Sequence, residues 1–239
     1  MKLAIMQPYF LPYIGYFQLI NAVDLFIVYD NIKYTKKGWI NRNRLLVNGK
    51  DAIFSLPLKK GSDSLDVVER ELAADFNRSK LLNQFKGAYS RAPQFSRVYP
   101  LLEQIVLHDE HNLFRFIRHA LDLICQYLGI TTEIRTSSTI ESNHQLSGQD
   151  RVIAICHALG ADTYINPIGG TELYSSDVFK ANGIILGFLK PTPFEYSQLG
   201  SEFVPWLSII DVMMFNPLNE VCRRINDEFA IVGTPQSLP

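Results

Sequence analysis

Unbroken apolar runs punctuate this chain. Leu3-Ala4-Ile5-Met6 is one, and Asp24 to Asp30, D-L-F-I-V-Y-D, is another, closed at both ends by acids. Short continuous runs of this kind predict strands buried on both faces, as in a parallel sheet. Between them, Ile14 to Ala22 predicts a helix. Strand, helix and strand in succession make a βαβ unit with a parallel pair and a right-handed crossover. Leu45 to Pro57 holds Asn48-Gly49 between two apolar stretches, the strongest short signal for a hairpin. From Asp75 to Leu128 the period becomes helical. Phe76-Asn77 leads into a helix to about Ser90, a second starts at Pro93, and Pro100 is expected to interrupt or end it before the chain reaches His108. Asn112 to Leu128 places Leu113, Phe116, Ile117, Ala120, Leu121, Ile124 and Leu128 on one side, ahead of a stop at Gly129.

The β pattern returns at Glu133–Thr136, Thr163–Asn166 and Gly183–Leu189, with helices expected from Ser147 through His157 and over Ser176–Ala181. Phe203 to Phe215 reads as mostly core by composition, with Ser208 and Asp211 as polar exceptions that cap and satisfy a helix. The fold class is therefore α/β, a Rossmann-like parallel sheet in a single domain over residues 1–239. Residues 75–130 form a helical insertion or subdomain, and 232–239, polar with two prolines, form a loose tail.

A chain of 239 residues with 47% hydrophobic and 20% charged content can bury a sizeable core. Its net charge of -1 supplies no general field for nucleic acid or a membrane surface, so any basic patch is local. Cys125, Cys156 and Cys222 lie far apart, which favours reduced thiols over a disulfide frame or a zinc site. No apolar run approaches the roughly 18 residues of a membrane span, and a cytoplasmic location is expected. His108 and His111 beside Asp109 and Glu110 read as a solvated turn between helices, and no metal is expected.

Two stretches concentrate chemistry. After the first strand, Gln7 and the aromatics Tyr9, Phe10, Tyr13, Tyr16 and Phe17 are interleaved with Pro8, Pro12 and Gly15. A stiff loop that brings a helix N-terminus to the carboxyl end of a strand lies where open α/β sheets bind ligands, anions in particular. Asp30 ends the second strand on the same edge, as a ligand group or as a cap on the following turn. The second stretch, Asn31 to Arg44, packs Lys36, Trp39, Asn41, Arg42 and Arg44 among other cations and asparagines. In strand register the two asparagines share one face and the two arginines the other. Guanidinium forks beside an aromatic ring suit a phosphate or carboxylate on a stackable molecule, and the near-neutral chain favours a small ligand over nucleic acid. Asn166, Gly169, Gly170 and Tyr174 form a further loop after a strand, with the paired glycines able to receive an anion at a helix start. No Ser-His-Asp or Cys-His spacing is visible, and His144 and His157 read as structural, so transfer without a covalent intermediate is favoured.

Gln7-Pro8-Tyr9-Phe10, Pro12-Tyr13-Ile14-Gly15-Tyr16-Phe17, the run Gly38 to Arg44, Tyr164-Ile165-Asn166 with Gly169-Gly170, Leu173-Tyr174, and Leu207 to Asp211 resemble the WbqC-like family over nearly the whole chain. The resemblance implies a setting in bacterial O-antigen and other surface-polysaccharide synthesis. A weaker likeness joins Phe10 to Tyr16 to the histidine-bearing loop of cytidylyl- and adenylyl-transferases and pantothenate synthetases, and implies a nucleotidyltransferase-like core. Tyr13 and Tyr16 stand where that loop has two histidines. A tyrosine donates a hydrogen bond but carries no positive charge, which disfavours ordinary nucleotidyl transfer. The expected function is acylation or aminoacylation of an amino sugar or sugar nucleotide. Gln7, Tyr13, Tyr16 and Asp30 are the catalytic candidates. Tyr9, Lys36, Trp39, Asn41, Arg42, Arg44, Asn166, Gly169, Gly170 and Tyr174 are the binding candidates. The alternatives are a non-catalytic module for a sugar nucleotide or a partner enzyme, and a divergent nucleotidyltransferase. No cofactor is expected and the acyl or aminoacyl donor is unidentified. Self-association and association with enzymes of the same pathway both stay open.

Overall fold

In the computed structural model, which describes residues 1–142, 144–200 and 202–233, six strands form the central sheet in the order β5-β2-β1-β6-β7-β8. These are β1 (Lys2–Met6), β2 (Leu25–Val28), β5 (Glu133–Thr136), β6 (Thr163–Pro167), β7 (Ile185–Pro191) and β8 (Phe229–Val232). All pair in parallel except β8, which closes one edge antiparallel to β7. The chain leaves β1 toward β2 and later places β6 on the other side of β1. That reversal makes the carboxyl ends of β1 and β6 the topological switch point. A Rossmann-like α/β sheet is thus what the apolar runs encode.

The runs are unbroken because both faces of the sheet are covered. Leu3 and Ile5 of β1, with Leu25 and Ile27 of β2, join the buried cluster under α5 (Gly148–Leu159) and α6 (Ser176–Ala181). Ala4, Phe26 and Val28 point the other way. There they meet one large cluster shared by α1 (Ile14–Asn21), α2 (Arg78–Tyr89), α3 (Phe95–Leu107), α4 (Leu113–Leu128), α7 (Ile209–Phe215), α8 (Leu218–Asp227) and the hairpin of β3 (Arg42–Val47) and β4 (Lys50–Ser55). The helical segment 75–130 therefore shares its core with the sheet. Asn48 and Gly49 take φ of 50° and 74°, the doubly left-handed turn that Asn-Gly favours. Asn77 and Asn112 cap α2 and α4 through their side chains, and Gly129 ends α4 in the left-handed conformation.

One expectation is corrected. Pro100 neither ends nor divides α3, because one lost backbone bond is outweighed by the buried face of Val98, Leu101, Leu102, Ile105 and Val106. Phe203 to Phe215 is mostly core, as expected, with Leu207 to Met214 buried; within it α7 begins only at Ile209, and Trp206 stands 61% exposed. Pro205 cannot donate a backbone hydrogen bond, and Trp206 has a φ of 60°, so helix cannot extend back through them. Helix α8 and strand β8 carry no expectation from sequence. The tail expected to be loose lies, from residue 234 onward, outside the described residues.

Candidate functional site

Five loops leave the carboxyl ends of the five parallel strands, and they hold most of the residues singled out by sequence. They fall into two unlike groups.

On the β2–β5 side the polar residues satisfy one another. Asp30, 2% exposed, accepts from the Ser137 hydroxyl at 2.9 Å and from the Ser138 backbone and hydroxyl at 2.9 and 2.6 Å. Its carboxylate caps the short turn Ser137–Thr139 after β5, not the turn that follows β2, where sequence placed a cap. Arg151 of α5, missed by sequence reasoning, reaches across to donate to the Asn31 carbonyl at 3.0 Å and lies over the Tyr29 ring. Asn31 in turn meets His144 at 3.1 Å.

At the switch point, the buried Tyr16 donates to the Gln7 carbonyl at 2.8 Å, and Tyr9 donates to the Gln7 amide oxygen at 3.4 Å. Burial raises the pKa of Tyr9 and Tyr13, and raises that of Tyr16 far above the ordinary phenol. All three therefore stay neutral donors. Across the switch point, Asn166 accepts from Tyr164 at 3.2 Å, and the hydroxyls of Tyr164 and Tyr174 lie 3.4 Å apart. A Cβ on Gly170 would fall 2.1 Å from the Asn166 amide nitrogen, so a side chain there would have to push that amide aside. Gly169 is exposed with open space around it. The loop is a 3-10 turn, Ile168–Leu173, and not the start of a helix.

On the β1–β7 side the arrangement changes. A cleft of about 470 Å³ opens between the β1–α1 loop, the exit of β7 and the segment before α7. Its walls are Tyr13, Trp206, Phe203, Tyr196 and three prolines, Pro191, Pro193 and Pro205, with Glu195 among them. Tyr13 and Trp206 meet edge-on at 6.0 Å, and Tyr196 and Phe203 at 5.1 Å. Tyr13 also folds over Gly15, where any Cβ would lie 2.4 Å from its ring, so the N-terminus of α1 is covered by the tyrosine.

The segments named for the resemblance build this wall. Leu11 is held at φ 50° while its carbonyl accepts from Asn43 at 2.9 Å and from Ser208 at 2.7 Å. The carbonyl of Arg44 accepts from the Ser208 backbone at 2.9 Å, and its guanidinium donates to the Trp206 carbonyl at 3.0 Å. One residue thus holds the chain at the strained tryptophan's carbonyl and two residues beyond it. Arg42 is oriented by the carbonyls of Gly38 and Lys37, and both guanidinium groups lie over Trp39, at 5.5 and 5.6 Å from its ring centre. Asn41 is occupied internally by Tyr34 and the Leu56 carbonyl. Lys36 stands apart, exposed, with Asp63.

Beneath the cleft lies Asp211, fully buried and also missed as a site group. It accepts from Tyr196 and Gln198, each at 2.7 Å, and Gln198 also bonds the backbone of Val204 at both its carbonyl and its N–H. Burial pushes the Asp211 carboxyl up, opposed by hydrogen bonds from Tyr196, Gln198 and Tyr89. This network fixes the strap that forms one side of the cleft. Sequence marked Asp211 only as a polar exception in a mostly apolar stretch.

Among the described residues no group of three or more His, Cys, Asp or Glu could hold a metal, and no helix is long and apolar enough to cross a membrane. His108, considered with His111 for metal, stacks on His119 at 3.8 Å.

The model of the WbqC-like protein family matches residues 7–222. The chain is also similar to the uncharacterized protein Rv1507c of Mycobacterium tuberculosis, 30% identical over 218 residues that cover 90% of this chain and 93% of that protein. No solved structure matches.

Proposed function

Because this chain belongs to the WbqC-like protein family, we propose that it transfers an acyl or aminoacyl group to an amino sugar or sugar nucleotide in surface-polysaccharide synthesis. The observation that carries this reading is the aromatic cleft, with the Arg44 guanidinium bonded to the carbonyl of its Trp206 wall and stacked, beside that of Arg42, on Trp39. A volume of about 470 Å³ suits a small molecule. Ring faces such as Trp206 and Tyr13 suit the apolar face of a sugar or a base. Arg42 and Arg44, already oriented by backbone carbonyls, suit a diphosphate outside the tryptophan wall. Cys125 and Cys156 are buried and pushed up to about 12, which supports direct transfer over a thioester route. Nucleotidyl transfer is less well supported, since the Tyr13 ring covers the α1 N-terminus where a phosphoryl group would need backbone donors.

A thermal-shift panel of UDP- and dTDP-sugars, ATP, CTP and acyl-CoAs tests the binding. A ligand at 100 times its dissociation constant stabilises by about 2.7 kcal/mol. Incubation of the bound sugar nucleotide with acyl and aminoacyl donors, followed by mass spectrometry, tests the transfer. A shift with sugar nucleotides and an acyl mass increment are the expected results, and no shift with any sugar nucleotide would sink the reading. A second reading, a binding module without chemistry, has its own observation: the Asp30 carboxylate and the Tyr16 hydroxyl are both engaged within the protein. Binding without any mass increment would favour it.

A further inference from the structure

We propose that the cleft receives a protonated amine, with Glu195 as its counter-charge and the aromatic walls as its cage. The inference rests on the sugar-nucleotide reading and assigns an orientation to that ligand: ammonium inward, phosphates outward.

Glu195 is the single charged side chain among the residues lining the cleft, and it has no ion-pair or hydrogen-bond partner among the described residues. Among the described residues no lysine or arginine lines the cleft. An anionic group placed inside would meet a carboxylate with no compensating cation. A hydroxyl would leave that carboxylate without its best partner. An ammonium group meets both a negative charge and the negative faces of aromatic rings. The same wall already hosts one cation: the Arg224 guanidinium lies 4.1 Å from the centre of the Phe194 ring. That arginine is neutralised by Glu220 and Glu228 at 2.8 and 2.9 Å and so does not satisfy Glu195.

Backbone strain points to the same place. Trp206 is one of three described non-glycine residues with positive φ, and it is the exposed one among large apolar side chains. A left-handed tryptophan costs about 1–2 kcal/mol, and here the conformation turns its ring outward beside Tyr13 instead of into the core. The cations that sequence reasoning marked for anions, Arg42 and Arg44, stand outside this wall over Trp39. Charge is thus segregated: the lining carries one carboxylate, exposed at Glu195, and the two arginines lie outside it.

The test is calorimetric titration of the full chain with UDP-glucosamine, UDP-glucose and UDP. UDP-glucosamine is expected to bind at least about tenfold more tightly than UDP-glucose. The exposed substitution Glu195→Gln is expected to bring the two within about threefold. Equal affinities in the native protein, or an undiminished preference in Glu195→Gln, would overturn the proposal. If UDP and both UDP-sugars fail to bind, the sugar-nucleotide reading fails instead. Methyl glucosaminide against methyl glucoside then decides the cleft alone: a preference for the amine that Glu195→Gln removes supports it, and equal or absent binding overturns it.

Discussion

The two sides of the carboxyl edge make opposite use of their side chains. On the β2–β5 side, Asp30, Ser137, Ser138, Asn31 and Arg151 are densely polar, and each bonds another protein group, with the Arg151 Nε left as the one buried atom of the set without a partner. On the β1–β7 side the exposed groups are rings and prolines, the carboxylate of Glu195 is unanswered, and the tryptophan backbone is strained. Polar density by itself is how a protein stitches loops to strand ends, because buried donors and acceptors must be paired. A surface that leaves large rings in water and a main chain in a costly conformation has no such internal justification, and that is the mark of a ligand site.

The contrast can be broken by substitution. The largest effect is expected on the stitched side. Asp30→Ala strips the acceptor from three donors and should cost about 3 kcal/mol in urea unfolding, with sugar-nucleotide affinity of the folded protein unchanged. Retained stability with lost binding would move the site to Asp30. Trp206→Ala should behave in the reverse manner. Its ring is exposed, so unfolding should change by less than about 0.5 kcal/mol, while ligand affinity falls by at least about tenfold.

Asp211 joins the two behaviours, since it is buried stitching beneath the open cleft. Its folded carboxyl holds a proton more tightly than its ordinary 3.8. The contribution of this group to stability is therefore fullest below that value and is lost as pH rises through its folded pKa. The stability difference between the native protein and Asp211→Asn should fall over that interval and then level off; a flat difference would mean the carboxyl is not perturbed. The smallest effect belongs to Lys36→Ala. Its pair with Asp63 is exposed, so both stability, within about 0.5 kcal/mol, and ligand affinity should hold. A loss of binding would restore Lys36 to the anion site.

Much of the sheet was legible because burial on both faces leaves unbroken apolar runs, as in β1 and β2. The hairpin was legible because Asn48-Gly49 has few other uses. Pro100 misled because local propensity yields to a buried face. The site was half legible. Tyr13, Trp39, Arg42 and Arg44 were marked by an unusual mixture of rings and cations; the structure puts Tyr13 in the cleft wall and stacks the two arginines on Trp39 outside it, with Arg44 bonded to the Trp206 carbonyl. Asn41, Asn43 and Asn166 share those motifs yet turn inward, and no spacing rule separates an asparagine that holds a carbonyl from one that holds a ligand. Trp206 was hidden by its apolar neighbours, since composition does not report a left-handed backbone. Glu195 gave no signal at all: one acid after two prolines acquires meaning only when the walls around it are known.

The chain has two tryptophans, Trp39 beneath the arginines and Trp206 on the cleft, so intrinsic fluorescence reads this region directly. We would titrate the native protein, Trp39→Phe and Trp206→Phe with UDP-glucosamine. If the cleft is the ligand site, the signal change persists in Trp39→Phe and is lost or strongly reduced in Trp206→Phe. An undiminished change in Trp206→Phe, at the same ligand concentration, would place the ligand elsewhere and contradict the assignment of the cleft.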